Sequence, residues 1–125
     1  MPLESWTKGR LALLGDAAHA MLPHLGQGAN QAIEDGVALA VLLEGRDPAD
    51  VPDIVRQYEK LRRARTDVIQ AEARKNGLRY DSKYASLDQR DREIANSKAF
   101  RQSLFDYDVE KIIIAHLSQS QCSLD

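Results

Sequence analysis

Arg10 to Leu43 reads RLALLGDAAHAMLPHLGQGANQAIEDGVALAVLL, and the rest of the chain is organised around it. Leu11 to Leu14 is a short apolar run ended by Gly15, the pattern of a buried strand. Asp16 follows at the carboxyl end of that strand, where ligands sit in open α/β folds. A loop with Pro23 leads to Gly26-Gln27-Gly28, after which small and apolar residues recur at helical spacing. The order is therefore strand, acid, Gly-rich loop, helix N-terminus. A helix N-terminus offers unpaired N–H groups and partial positive charge. Gly26 and Gly28 lack a Cβ, so a flat ligand could approach the backbone closely. An ionised Asp16 only accepts hydrogen bonds, which suits a hydroxyl-bearing chain. By these arguments the stretch suits a polyol joined to a polar ring.

The elements GDAAH, Pro23-x-x-Gly26-Gln27-Gly28-x-Asn30 and Asp35-Gly36 together resemble the second flavin-binding motif of the FAD-dependent aromatic hydroxylases. These are single-component flavoprotein monooxygenases, and the salicylate-hydroxylase-like members are the most similar. Tyr58-Glu59-x-x-Arg62-x-x-Arg65, Arg74-x-Asn76-Gly77 and Phe105-Asp106-Tyr107-Asp108 also resemble the family, more loosely. The resemblance implies that Asp16 contacts the ribityl or ribose of FAD. It also implies that Pro23, Gly26, Gln27, Gly28, Ala29 and Asn30 lie along the isoalloxazine ring, with first-turn amides facing its pyrimidine edge. Negative charge gathers on that edge when the ring is reduced. NAD(P)H and a small aromatic or other planar substrate are implied in the full-length context.

No G-x-G-x-x-G for the ADP half of FAD is found in the sequence, and the family's middle section has no counterpart. The resemblance thus implies a C-terminal portion of an α/β, Rossmann-like monooxygenase, truncated or encoded separately. It supplies one wall of the flavin site, and alone it is expected neither to bind FAD tightly nor to hydroxylate. Two other readings stand beside this one, a non-catalytic protein and a subunit of a split oxygenase. The chain could be a stand-alone helical protein that self-associates to cover its apolar strand and first helix. It could instead complement a separate N-terminal chain.

The predicted architecture is mainly α, with three or four helices and one short strand. Residues 1–45 would hold the GD strand, loop and flavin-facing helix, and 46–125 a C-terminal helical region. The strand, lacking sheet partners, would be an unpaired edge. The first helix is predicted from Gln27 to Glu44, with Gly45 as its stop. The second runs from near Asp50 to Asn76-Gly77, about 24 residues. Its apolar stripe comprises Ile54, Tyr58, Leu61, Val68 and Ile69, and its solvated face includes Arg56, Lys60, Arg63, Asp67 and Lys75. Leu78 to Leu87 reads as a loop and Asp88 to Phe105 as a helix. Val109 to Leu117 reads as a helix or a strand, with Asp108 as cap in the helical case. The last eight residues read as a frayed tail.

Other candidates carry duller readings. His19 and His24, five apart without a nearby cysteine, make a poor metal pattern, and no metal site is expected. His19 is expected to organise the loop, and Asp35 to be partly buried and hold its helix against the GD turn. Arg62, Arg65 and Arg74 are expected to pair with Glu59, Asp67 and Glu72. Trp6 reads as a packing residue. No side chain is assigned a catalytic role, because the oxygen chemistry of such enzymes belongs to the flavin. A net charge of −2 gives no electrostatic case for nucleic acid or anionic membrane. The single Cys122 permits no intrachain disulfide, which fits a cytoplasmic chain.

Overall fold

The computed structural model describes residues 3–81 and 86–122 of the chain. A two-residue strand β1 (Thr7–Lys8) turns through Gly9 into β2 (Leu11–Ala12). They pair antiparallel, with Thr7 opposite Ala12 and Lys8 opposite Leu11. The expected strand is thus shorter than its apolar run, and it is not an unpaired edge, because the residues just before it supply a local partner. Leu11 and Leu14 are exposed rather than buried. Glu59 anchors this hairpin by accepting hydrogen bonds from the Ser5 and Thr7 hydroxyls, both at 2.9 Å.

Helix α1 (Asp16–His19) is a single turn, and a 3-10 turn at Pro23–Leu25 follows. Helix α2 (Gly28–Leu43) matches the predicted first helix to within a residue at each end. After it, Asp47 caps a second 3-10 turn by accepting from the Ala49 amide at 2.7 Å. Helix α3 (Val51–Asp81) spans 31 residues and does not stop at Asn76-Gly77. Leu78 to Asp81, read as loop, are helical; positions 82–85 of that predicted loop lie outside the described residues. Helix α4 (Leu87–Phe105) starts from Ser86, whose hydroxyl accepts from the Gln89 amide. Helix α5 (Val109–Cys122) resolves the helix-or-strand alternative and takes in positions 118–122 of the predicted tail, of which 123–125 lie outside the described residues. Asp108 caps α5 by accepting from the Lys111 amide at 3.1 Å.

The core lies where α2 meets α3 on one side and α5 on the other. Trp6, Ala38, Leu42, Ile54, Tyr58, Val109 and Ile113 form its centre. Trp6 is a packing residue: its ring lies 5.2 Å from His19 and 6.3 Å from Tyr58, with the Arg63 guanidinium 5.0 Å above it. Arg63 is thereby drawn off the solvated face assigned to it. The buried stripe of α3 is Ile54, Tyr58, Arg62, Thr66, Ile69 and Ala73, steps of three and four residues. Val68, placed on that stripe by composition, is 57% exposed. Helix α4 adds little to this core: only Leu104 of its side chains is buried, and α5 rather than α4 closes over α2. Among the described residues no helix is long and apolar enough to cross a membrane.

Candidate functional site

The site is assembled around Gly15, which leaves β2 and begins α1. Its φ of +60° is a left-handed conformation that disfavours any residue with a Cβ. A Cβ there would also stand 3.2 Å from that of Ala32 on α2. Glycine therefore lets the turn lie directly on α2. The turn is tied down by Asp35, fully buried on the same helix, which accepts from the Gly15 amide at 2.9 Å.

Asp35 is the hub of a buried polar cluster. Its Oδ2 also meets His19 Nε2 at 2.6 Å, and its Oδ1 accepts from Arg62 Nε at 2.8 Å. Arg62, fully buried in α3, donates further to Glu34 Oε2 at 2.7 Å and to Gln31 Oε1 at 2.8 Å. Burial pushes the Asp35 carboxyl up, but hydrogen bonds from His19, Arg62 and the Gly15 amide outweigh it and hold the group below the usual carboxylate range. One acid thus joins the GD turn, α1, α2 and α3. The holding role expected of Asp35 and the organising role expected of His19 both have their geometry here. The expected network does not form: Arg62 pairs with Glu34 and Asp35 rather than with Glu59, Asp67 or Glu72. Glu59 takes Arg63 at 2.7 Å, while Arg65 lies 3.6 Å from Glu34 and 3.9 Å over the Tyr107 ring. Glu72 pairs with Lys75 and Arg79 rather than with Arg74.

Held this way, the Asp16 side chain comes to the entrance of α2. A Cβ built on Gly28 would lie 3.7 Å from Asp16 Oδ1, so the carboxylate stands over the start of the helix. Asp16 is exposed, and its carboxylate has no hydrogen-bond partner among the described residues. Helix α2 begins without a side-chain cap, and its first intrahelical bond runs from the Gln31 amide to the Gln27 carbonyl at 2.9 Å. The amides of its first turn are therefore open. Gly26 adopts the left-handed conformation that ends the Pro23–Leu25 turn, and a Cβ there would meet nothing within 4 Å. Pro23, Gly26, Ala29 and Asn30 are exposed and Gly28 half-buried; Gln27 is only 8% exposed, which leaves little of it to meet a ligand. A flavin tail and ring would meet a free carboxylate, open amides and a glycine-lined approach, and among the described residues no side chain fills that approach at Gly26. The donor set fits.

The loop that carries Pro23 is held from behind by α3, a feature the sequence did not reveal. Gln70 donates to the Ala20 carbonyl at 2.8 Å, and Asn76 to the His24 carbonyl at 2.7 Å. A Cβ on Gly77 would fall 2.6 Å from the His24 ring, inside any real contact distance. The Asn76-Gly77 pair is thus a seat for His24 within a continuous helix, and that accounts for a helix running through an apparent stop signal. A recess of about 430 Å³ lies between α1 and α3, with Asp16 and Ala17 on one wall and Gln70 and Arg74 on the other. Among the described residues no group of three or more His, Cys, Asp or Glu side chains could hold a metal ion.

A family model described as FAD binding domain matches residues 1–75. The chain belongs to this family. FAD is the cofactor of the family. The chain is 52% identical over 85 residues to an FAD-dependent monooxygenase, notI, of Aspergillus sp. (strain MF297-2), covering 64% of this chain and 20% of that protein. It is 46% identical over 82 residues to the chloroplastic zeaxanthin epoxidase of an Oncidium hybrid cultivar, covering 59% of this chain and 12% of that one. A solved structure of a salicylate hydroxylase substrate complex superposes with a TM-score of 0.77 at 34% identity, over 90% of this chain and 28% of that one. The chain therefore spans about a fifth or less of the length of these curated relatives. Its largely helical architecture with one small sheet is a piece of the FAD-binding monooxygenase fold.

Proposed function

We propose that the chain forms the ribityl and isoalloxazine wall of the flavin site in an FAD- and NAD(P)H-dependent monooxygenase acting on an aromatic or other planar substrate. The observation that carries this reading is the Asp16 carboxylate standing unpaired against the uncapped entrance of α2. Asp16 accepts hydrogen bonds from hydroxyls of the cofactor's polyol chain. The Pro23 turn and Gly26 to Asn30 line the ring, and the open amides of Gly28, Ala29 and Asn30 stabilise negative charge on its pyrimidine edge. Bound flavin supplies hydride acceptance and oxygen activation, and these residues supply placement and electrostatics. None of them is assigned proton transfer.

The ADP half of the cofactor needs a dinucleotide-binding segment, in the same polypeptide or from a complementing chain. Leu11, Leu14 and Ile33 are exposed apolar side chains on the β2–α2 side, and they support a covering partner there. The test is a fluorescence titration of FAD into the chain alone and into the chain joined to a G-x-G-x-x-G-bearing segment. The chain alone is expected to bind weakly, and the joined form tightly. Asp16→Ala in the joined form should weaken FAD binding by about 1.5–3 kcal/mol, the range for hydrogen bonds to a charged group. Equal affinity with and without the Asp16 carboxylate would end the reading. One flavin per chain after purification of the chain alone would contradict the predicted dependence on a second segment.

A further inference from the structure

Helix α4 carries two distinct faces. Glu93, Ser97, Phe100 and Leu104 are its buried or half-buried positions, spaced four, three and four apart, and they are the side turned to the chain's own body. Arg79 of α3 pairs with Glu93 at 2.8 Å, and Arg65 donates to the Leu104 carbonyl. About 110° round the helix lies a second stripe, Leu87, Asp91, Ile94, Lys98, Arg101 and Phe105. Every residue of it is exposed; Leu87 is 70%, Ile94 55% and Phe105 74% exposed. Lys98 and Arg101 have no partner among the described residues, and Asp91 meets only its neighbour Arg90.

We propose that this stripe is a docking surface for a second copy of the chain, with the two α4 helices antiparallel about a two-fold axis beside Asn96. The pattern of the stripe selects that occupant. Turned end for end about Asn96, it meets itself with Leu87 against Phe105, Asp91 against Arg101 and Ile94 against Lys98. Each charge then faces its opposite or an apolar side chain, and the Lys98 stem covers Ile94 while its ammonium reaches water. A parallel pairing sets Asp91 on Asp91 and Arg101 on Arg101, which like-charge repulsion opposes. A two-fold contact uses the same patch twice, so a self-complementary stripe is what such a dimer requires. The stripe shares no residue with the proposed flavin wall, and the inference does not rest on the flavin reading.

A single 19-residue seam is a small interface, so a dissociation constant on the order of tens of micromolar is expected. Sedimentation velocity of the full chain across about 5–200 µM should show a concentration-dependent dimer. Asp91→Arg and Arg101→Asp should each weaken it by about tenfold or more, and the double variant should return it to within about threefold of the parent. All four proteins should give the same circular dichroism, because both side chains are exposed. A monomer at every concentration overturns the proposal. So does a dimer that neither single reversal weakens, or a double reversal that fails to restore it.

Discussion

Replacing Asp35 by alanine tests whether the buried polar cluster holds the GD turn, α2 and α3 together. The substitution removes the acceptor for three donors at once: the Gly15 amide, His19 Nε2 and Arg62 Nε. Arg62 keeps Glu34 and Gln31 but loses its only fully buried counter-charge. Breaking a buried ion pair from one side costs about 3–5 kcal/mol, because the remaining charge stays desolvated. The stranded Gly15 amide adds about 1–3 kcal/mol if the turn holds its place, and less if it moves to water. The two losses share one hub and do not sum, so a net loss of about 4 kcal/mol is expected. For a chain of this size that is a fall in Tm of roughly 12–20 °C, read by circular dichroism. The sign with pH is fixed. The Asp35 carboxyl sits below its ordinary value of 3.8, so its contribution is present above that value and is lost as pH falls through the folded one. Variant and parent should therefore converge only in acid. The double variant Asp35→Ala with Arg62→Met removes both charges and should recover much of the loss. A single variant within about 1 kcal/mol of the parent at neutral pH would refute the reasoning.

Gly77→Ala should bring no gain, although alanine is favoured over glycine inside a helix by about 1 kcal/mol, because the added Cβ meets the His24 ring at 2.6 Å. Hydrogen exchange should quicken across residues 20–26, and His24→Ala on top of it should release the gain in a urea titration. Asn76→Ala should quicken the same amides and cost about 1 kcal/mol, since it removes one bond to the His24 carbonyl. Tyr58→Phe removes the hydroxyl that donates to the Leu13 carbonyl at 3.0 Å and should cost about 1–2 kcal/mol by chemical denaturation, with the fold retained. Asp108→Ala should fray the start of α5, seen as faster exchange of the Lys111 amide that Asp108 accepts from.

Most of the local structure from Leu11 to Leu43 is legible in the sequence because its determinants are local. The apolar run, the Gly15-Asp16 step and the small-residue spacing after Gly26 lie within one short stretch, and they placed α2 to within a residue. Asp108 and Gly45 were read as helix ends from residue type alone, and both mark them. The failures came where a distant partner decides. Asn76-Gly77 has the chemistry of a helix stop, and only the presence of His24, far away in sequence, shows why the helix continues. Spacing offers Arg62 only acids of its own helix, Glu59, Asp67 and Glu72, because same-helix neighbours are all that it reveals. Its true partners, Glu34 and Asp35, lie on another helix 28 and 27 residues away. Arg62 replaces an expected apolar residue on the buried stripe, and a charge at a core position four residues after Tyr58 was the one signal that could have announced the cluster. The hairpin was missed because Thr7–Lys8 is too short and too polar to show alternation.

Asp35 has one further effect. It secures the GD turn to α2 and α3 entirely through groups of this chain, so the carboxylate of Asp16 reaches its post without help from a guest molecule. Little freezing of backbone is then left for a ligand that meets this turn, and the ordering falls on the free Asp16 side chain itself.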